Sequence, residues 1–159
     1  MAMDTLPELA TKIAAALPQA VRSSKVAQGE LTLEVEAEGI VHVLQFLRDD
    51  PDCDFKVLID VCGADWPSRK KRFDVVYHLL SLTKNRRIRV KVETDEASSV
   101  PSAVSVFPAA GWYERETYDL YGVVFEGHSD LRRIMMPEDY TKFPLRKDFT
   151  DDGFIVKPN

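Results

Sequence analysis

Three apolar-rich runs, FKVLIDV (Phe55–Val61), FDVVYHLLSL (Phe73–Leu82) and IRVKVE (Ile88–Glu93), follow one another through the short polar connections GADWPSRKKR and TKNRR. Each run has the residue types of a β-strand. A parallel neighbour needs a long crossover, so connections of hairpin or short-loop length make consecutive strands antiparallel. A fourth run, LTLEVE (Leu31–Glu36), alternates cleanly and puts Leu31, Leu33 and Val35 on one buried face.

Helical signals surround these strands. Thr5-Leu-Pro-Glu8 has the form of a capping box. Leu6, Leu9, Ile13 and Leu17 then recur at three- and four-residue steps in a helix closed by Pro18. Ile40, Val43, Leu44 and Leu47 form a second stripe ending before Pro51. Pro101 suits the first turn of a further helix, and a short helix over Trp112–Tyr121 stops at Gly122. The expected fold is α+β: an antiparallel sheet of about four strands with helices packed on one face. Residues 1–121 form that globular domain.

After Gly122 the pattern changes. Prolines at 137, 144 and 158 interrupt it and no period is sustained, yet Val123, Phe125, Leu131, Ile134, Met135, Met136, Phe143, Leu145, Phe149, Phe154 and Ile155 keep it apolar. Disordered tails are poor in such residues. Residues 122–159 therefore read as a long extended C-terminal arm, ordered by packing on something else, with partner proteins as the expected surface.

Bulk properties exclude several classes. A net charge of −5 argues against a general nucleic-acid binder. No apolar run approaches the roughly 20 residues that span a bilayer, and MAMDTLPELA lacks the features of a secretory signal. Cys53 and Cys62 fit no close ligand spacing. Since a cubane iron–sulfur cluster needs about four thiolates, two buried, reduced cysteines are expected. Phosphate-loop, nucleophile-elbow and zinc-helix motifs are absent.

Candidate site residues concentrate late in the chain. On a helical wheel Trp112, Arg115, Glu116 and Asp119 share one face, with Arg115 and Asp119 spaced to pair. That face is either solvated or a docking surface offering charge-assisted hydrogen bonds. His128, among Glu126, Asp130 and Arg132, invites a metal reading but lacks a paired ligand. His42 and His78 read as histidines embedded near the core. Arg69–Arg72 and Arg86, Arg87 and Arg89 form basic connections open to an acidic partner or anionic lipid.

The stretch ERETYDLYGVVFEGHSDLRRIMMPEDY, Glu114–Tyr140, resembles the signature of the C subunit, the 30 kDa-type subunit, of proton-translocating NADH–quinone oxidoreductase, respiratory complex I. The matching residues are Glu114, Arg115, Glu116, Asp119, Tyr121, Gly122, His128, Leu131–Ile134 and Pro137–Tyr140, and PLRKDF (Pro144–Phe149) is similar to that family's tail. Ser129 and Phe143 stand where the family commonly has proline and histidine. The match is to the separate subunit rather than the form fused to the quinone-site subunit.

The resemblance implies a non-redox, structural or assembly subunit on the cytoplasmic face of the bacterial inner membrane, attached through the complex only. It implies no catalytic, cofactor or metal residues in this chain, the FMN and iron–sulfur clusters being held by other subunits. The implied partners are the large quinone-site subunit and the cluster-bearing subunits. The residues implied to meet them are Arg115, Glu116, Asp119, His128, Arg132, Arg133, Met135, Met136, Tyr140, Arg146 and Lys147. Alternatives are the equivalent subunit of a membrane-bound hydrogenase or other quinone-linked dehydrogenase, a free-standing adaptor binding through the basic hairpins, and a metal-dependent hydrolase using His128.

Overall fold

The computed structural model describes residues 5–150; Phe154, Ile155 and Pro158 of the expected arm lie outside the described residues. Helix α1 (Leu6–Ala16) opens on Thr5, whose backbone N–H and hydroxyl both donate to the Glu8 carboxylate, at 2.7 and 2.9 Å. Strands β1 (Val21–Ala27) and β2 (Glu30–Val35) form a hairpin, and α2 (Ile40–Asp49) follows a short 3₁₀ turn. The long strands β3 (Val57–Asp65), β4 (Phe73–Ser81) and β5 (Arg86–Thr94) come next. The short β6 (Ser99–Pro101), α3 (Ala110–Tyr121) and β7 (Val124–Glu126) complete the elements.

The fold is α+β, and the consecutive strands β3, β4 and β5 are antiparallel as their connections require. The sheet, however, has five strands in the order β1-β2-β5-β4-β3, and it is mixed: β2 pairs with β5 in parallel. The parallel pair is possible because α2, β3 and β4 together supply the long crossover. Strand β1 escapes the pattern because VRSSKVA is an edge strand with its side chains almost all exposed, so burial imposes no alternation on it. Pro101 begins no helix; it ends β6, which pairs in parallel with β7. Proline at the end of a short edge pairing is tolerated because its missing N–H is not needed there.

Leu31, Leu33, Val35, Val75, Tyr77, Leu79, Ile88, Val90 and Val92 line one sheet face, and with Leu9, Ile13, Ile40, Val43, Leu44 and Leu47 of the helices they form the core. The residues that alternate with them, among them Thr32, Glu34, Asp74, Val76, His78, Arg89 and Lys91, line the opposite, open face. His78 sits half-buried there, and His42 is exposed on α2 rather than embedded near the core. α3 packs along β3, where Gly63 is required: a Cβ at that position would lie 2.5 Å from the Tyr121 ring.

Candidate functional site

Helix α3 is amphipathic in an unusual sense, because its buried side is charged: Glu114 and Asp119 have no solvent exposure and Arg115 has 9%. Buried charge is stable only when every polar atom is satisfied. Glu114 accepts from the Ser102 hydroxyl and the Ala103 N–H, both at 2.6 Å, which ties the segment after β6 to the helix. Burial pushes the Glu114 carboxyl above its usual range, partly offset by these two donors. The Thr117 hydroxyl lies 3.0 Å from the Tyr113 carbonyl and 3.3 Å from that of Val61, fixing α3 on β3.

Arg115 and Asp119 do not pair with each other as their spacing allows; both turn to the arm. Asp119 Oδ2 accepts three successive backbone N–H groups, from Ile134, Met135 and Met136, at 3.0, 2.6 and 2.9 Å. Its Oδ1 accepts from Arg133 at 2.6 Å, and the same guanidinium nitrogen donates to the Asp119 carbonyl at 2.9 Å. Burial works to raise the Asp119 carboxyl, but the three N–H groups and Arg133 outweigh it and hold it below the usual carboxylate range. Arg115 donates to the carbonyls of Arg132 and Arg133 at 3.2 and 3.1 Å, lies 3.6 Å from Asp130, and stacks over the Trp112 ring at 5.2 Å. Arg115 and Asp119 are therefore not part of a solvated face, whereas Trp112 of the same face is exposed.

The rest of the arm is clasped in the same way. Arg133 reaches the Lys142 carbonyl at 3.1 Å and lies over the rings of Tyr140 and Phe143. Arg146 donates to the Tyr121 carbonyl at 2.7 Å and to Glu96 at 3.1 Å, between the rings of Phe73 and Phe143 at 5.0 and 4.3 Å. The Lys147 N–H donates to Asp65 at 2.7 Å. Arg72 bridges Asp65 (2.6 and 2.8 Å), Asp148 (2.5 and 3.1 Å) and Glu96 (3.3 Å). Gly122 makes the bend possible. Its φ is +80°, and a Cβ there would lie 2.7 Å from Arg146 and 2.8 Å from Phe143. Val123 and Phe125 then run into the core.

Of the residues singled out from sequence, the structure thus gathers Arg115, Asp119, Arg133 and Arg146 into contacts within the chain. Others face outward. Met135 is 58% exposed, joined on the surface by Trp112 at 65% and Leu145 at 50%. Arg132 is exposed and pairs with Asp130 at 2.7 Å and Glu138 at 3.8 Å. Lys147 is exposed, while Met136 and Tyr140 are half-buried. Glu116 is half-buried and makes no hydrogen bond or ion pair among the described residues; it lines a small cavity with Cys62, Tyr121 and Leu145. Asp65, Arg72 and Glu96 were not legible as members of this site, since each is brought in by contacts distant in sequence.

His128 is a clip rather than a ligand. Its Nε2 lies 2.9 Å from the Gly111 carbonyl and its Nδ1 accepts the Asp130 N–H at 3.0 Å, so the ring proton belongs on Nε2. No group of three His, Cys, Asp or Glu side chains gathers among the described residues. Cys53 is buried and Cys62 half-exposed, the latter departing from the expectation that both are buried. Burial pushes their thiols up to about 12 and about 11. Cys53 sits in the core and Cys62 on the open sheet face, so the pair does not fit the thiolate set of an iron–sulfur cluster. No helix among the described residues is long and apolar enough to cross a membrane.

Fold and site together define an α+β module whose charged third helix clasps an arm and thereby shapes a mixed apolar and charged outer surface. The chain belongs to the family described as respiratory-chain NADH dehydrogenase, 30 Kd subunit, whose model matches residues 33–154. It is 60% identical over 150 residues to the C subunit of NADH-quinone oxidoreductase from Methylobacterium sp. (strain 4-46), covering 94% of this chain and 70% of that one. It is 57% identical over 152 residues to the protein of that name from Xanthobacter autotrophicus, covering 96% and 73%. Among solved structures it is similar to a chain from the membrane-bound sulfane sulfur reductase, an archaeal respiratory membrane complex. There the TM-score is 0.78 at 27% identity, over 93% of this chain and 87% of that one.

Proposed function

We propose that this chain is the 30 kDa-type subunit of a proton-translocating NADH–quinone oxidoreductase and serves it in structure and assembly. The observation that carries this reading is the arm: a segment without regular period that is clasped onto α3 by Asp119, Arg115 and Arg133 while presenting Met135 and Leu145 outward, with Trp112 of α3 exposed as well. Exposed large apolar side chains, where they gather into a patch, mark protein interaction sites, and a clasp of buried hydrogen bonds holds these in place. In this role the buried arginines and Asp119 act on partners indirectly, by fixing the shape of the arm. Arg132, Met135, Met136, Tyr140, Lys147 and Glu116 meet the quinone-site and cluster-bearing subunits directly. FMN and the clusters are held by those other subunits, and the chain reaches the cytoplasmic face of the inner membrane through them. High identity to the corresponding subunits of NADH-quinone oxidoreductases favours this assembly over a hydrogenase-type relative.

The test separates assembly from chemistry. Arg133→Ala leaves Asp119 buried without its cation and loosens the arm. Membranes carrying this variant are expected to lose most NADH–quinone reductase activity while NADH oxidation by an artificial acceptor, which needs the flavin alone, survives. Equal loss of both activities, or retention of both, would contradict the reading.

A further inference from the structure

The β4–β5 hairpin is left unused by the arm. From Leu82 to Val92 the chain carries five cations, Lys84, Arg86, Arg87, Arg89 and Lys91, and no carboxylate, in a protein of net charge −5. Arg89 pairs with Glu30 at 2.7 Å and Lys91 with Asp74 at 3.1 Å. Arg87 is exposed and makes no hydrogen bond or ion pair among the described residues.

Arg87 stands where two concavities meet. One, of about 590 Å³, is lined by Leu6, Leu80 and Leu82 with Arg86 and Arg87. The other, of about 300 Å³, includes Ile59 and shares Arg87 and Glu30 with the first. Ile59 reaches this place because it is the extra residue of a bulge in β3, where the register with β4 shifts between Leu58 and Asp60. Bulges redirect a side chain in this manner and are enriched at binding sites.

We propose that this groove binds a short acidic segment of a partner protein, its carboxylate on Arg87 and apolar side chains on either side in the two recesses. A charge-assisted pair flanked by leucine and isoleucine side chains set among polar ones supplies both direction and selectivity. An anionic bilayer fits less well. Its flat field of charge would act on the whole molecule, which is net negative. Arg87 is remote from the Arg72 clasp: β4 is nine residues long, so its hairpin end lies about 26 Å from the clasped end at 3.3 Å per residue. Among the described residues the groove approaches the arm only through Asp60, which also lines the small cavity beside Leu145.

The test titrates the full chain with a dye-labelled peptide carrying an Asp-Glu pair between leucines, an otherwise equal peptide with Asn-Gln, and phosphatidylglycerol vesicles. The acidic peptide is expected to bind saturably, at least fivefold more tightly than the amide peptide. Arg87→Glu should weaken it tenfold or more and Arg87→Gln about fivefold, with unchanged thermal midpoints because Arg87 is exposed; should Arg87→Glu fold poorly, Arg87→Gln gives the reading. An arm variant such as Arg133→Ala should bind the peptide normally, so loss of arm docking and loss of this site are distinguishable. Absence of saturable binding, insensitivity to the Arg87 variants, or preference for the vesicles would overturn the proposal.

Discussion

Asp119 holds a full charge at a position with no solvent exposure, and the desolvation is offset by four hydrogen bonds to one carboxylate. Removing one partner of a buried pair typically costs about 3–5 kcal/mol. Asp119→Ala is expected to lose stability of that order in urea unfolding, against the 5–15 kcal/mol typical of a whole domain. A pH dependence follows. Because the folded carboxyl is held below its usual range, the unfolded chain takes up a proton first as pH falls. The contribution is fully present above about pH 4, the unfolded carboxyl range, and is lost as pH drops through the lower folded value. Asp119→Asn should therefore show a flatter acid limb in its stability–pH curve. An acid limb as steep as the native one would contradict the assignment. Glu114, raised by burial, contributes with the opposite sign, since the folded state takes up its proton first.

At the scale of elements, the join between α3 and the arm is the sensitive point. Gly122→Ala forces a side chain into a left-handed position and against Arg146 and Phe143. Strain of this type costs roughly 1–3 kcal/mol, and the arm is expected to bear it. Amide exchange over residues 131–148 should quicken severalfold while β4 and β5 stay protected; uniform loss of protection, or none, would count against a separable clasp. The elements also differ in how plainly the sequence announced them. Strands β2 and β5 were legible because one face of each is buried, which imposes alternation, and β4 because a strand buried at almost every position reads as a short apolar run. Strand β1 was not, because an exposed edge imposes none. The pairing of β6 with β7 joins residues such as Val100 and Phe125 across α3, and three-residue strands leave no period to read. The apolar content of the arm announced that it packs. Its attachment to its own domain through Arg72–Asp148 and Lys147–Asp65, separated by 76 and 82 residues, left no local signal at all.

The whole molecule has two ends with different characters. At the end where β3 and β4 approach Asp65 and Phe73, Arg72, Glu96 and Arg146 secure the arm. At the opposite end the basic hairpin stands open beside a groove. Between them the helices cover one sheet face and leave the other bare. The measurement that tests this account most directly is affinity purification of the tagged chain from gently solubilised membranes, with each eluate assayed for iron and for inhibitor-sensitive NADH–quinone reductase activity. The account predicts that iron-rich partners and the activity elute with the native chain, and that both fall sharply with Asp119→Ala. A folded native chain that elutes alone and free of iron would contradict it.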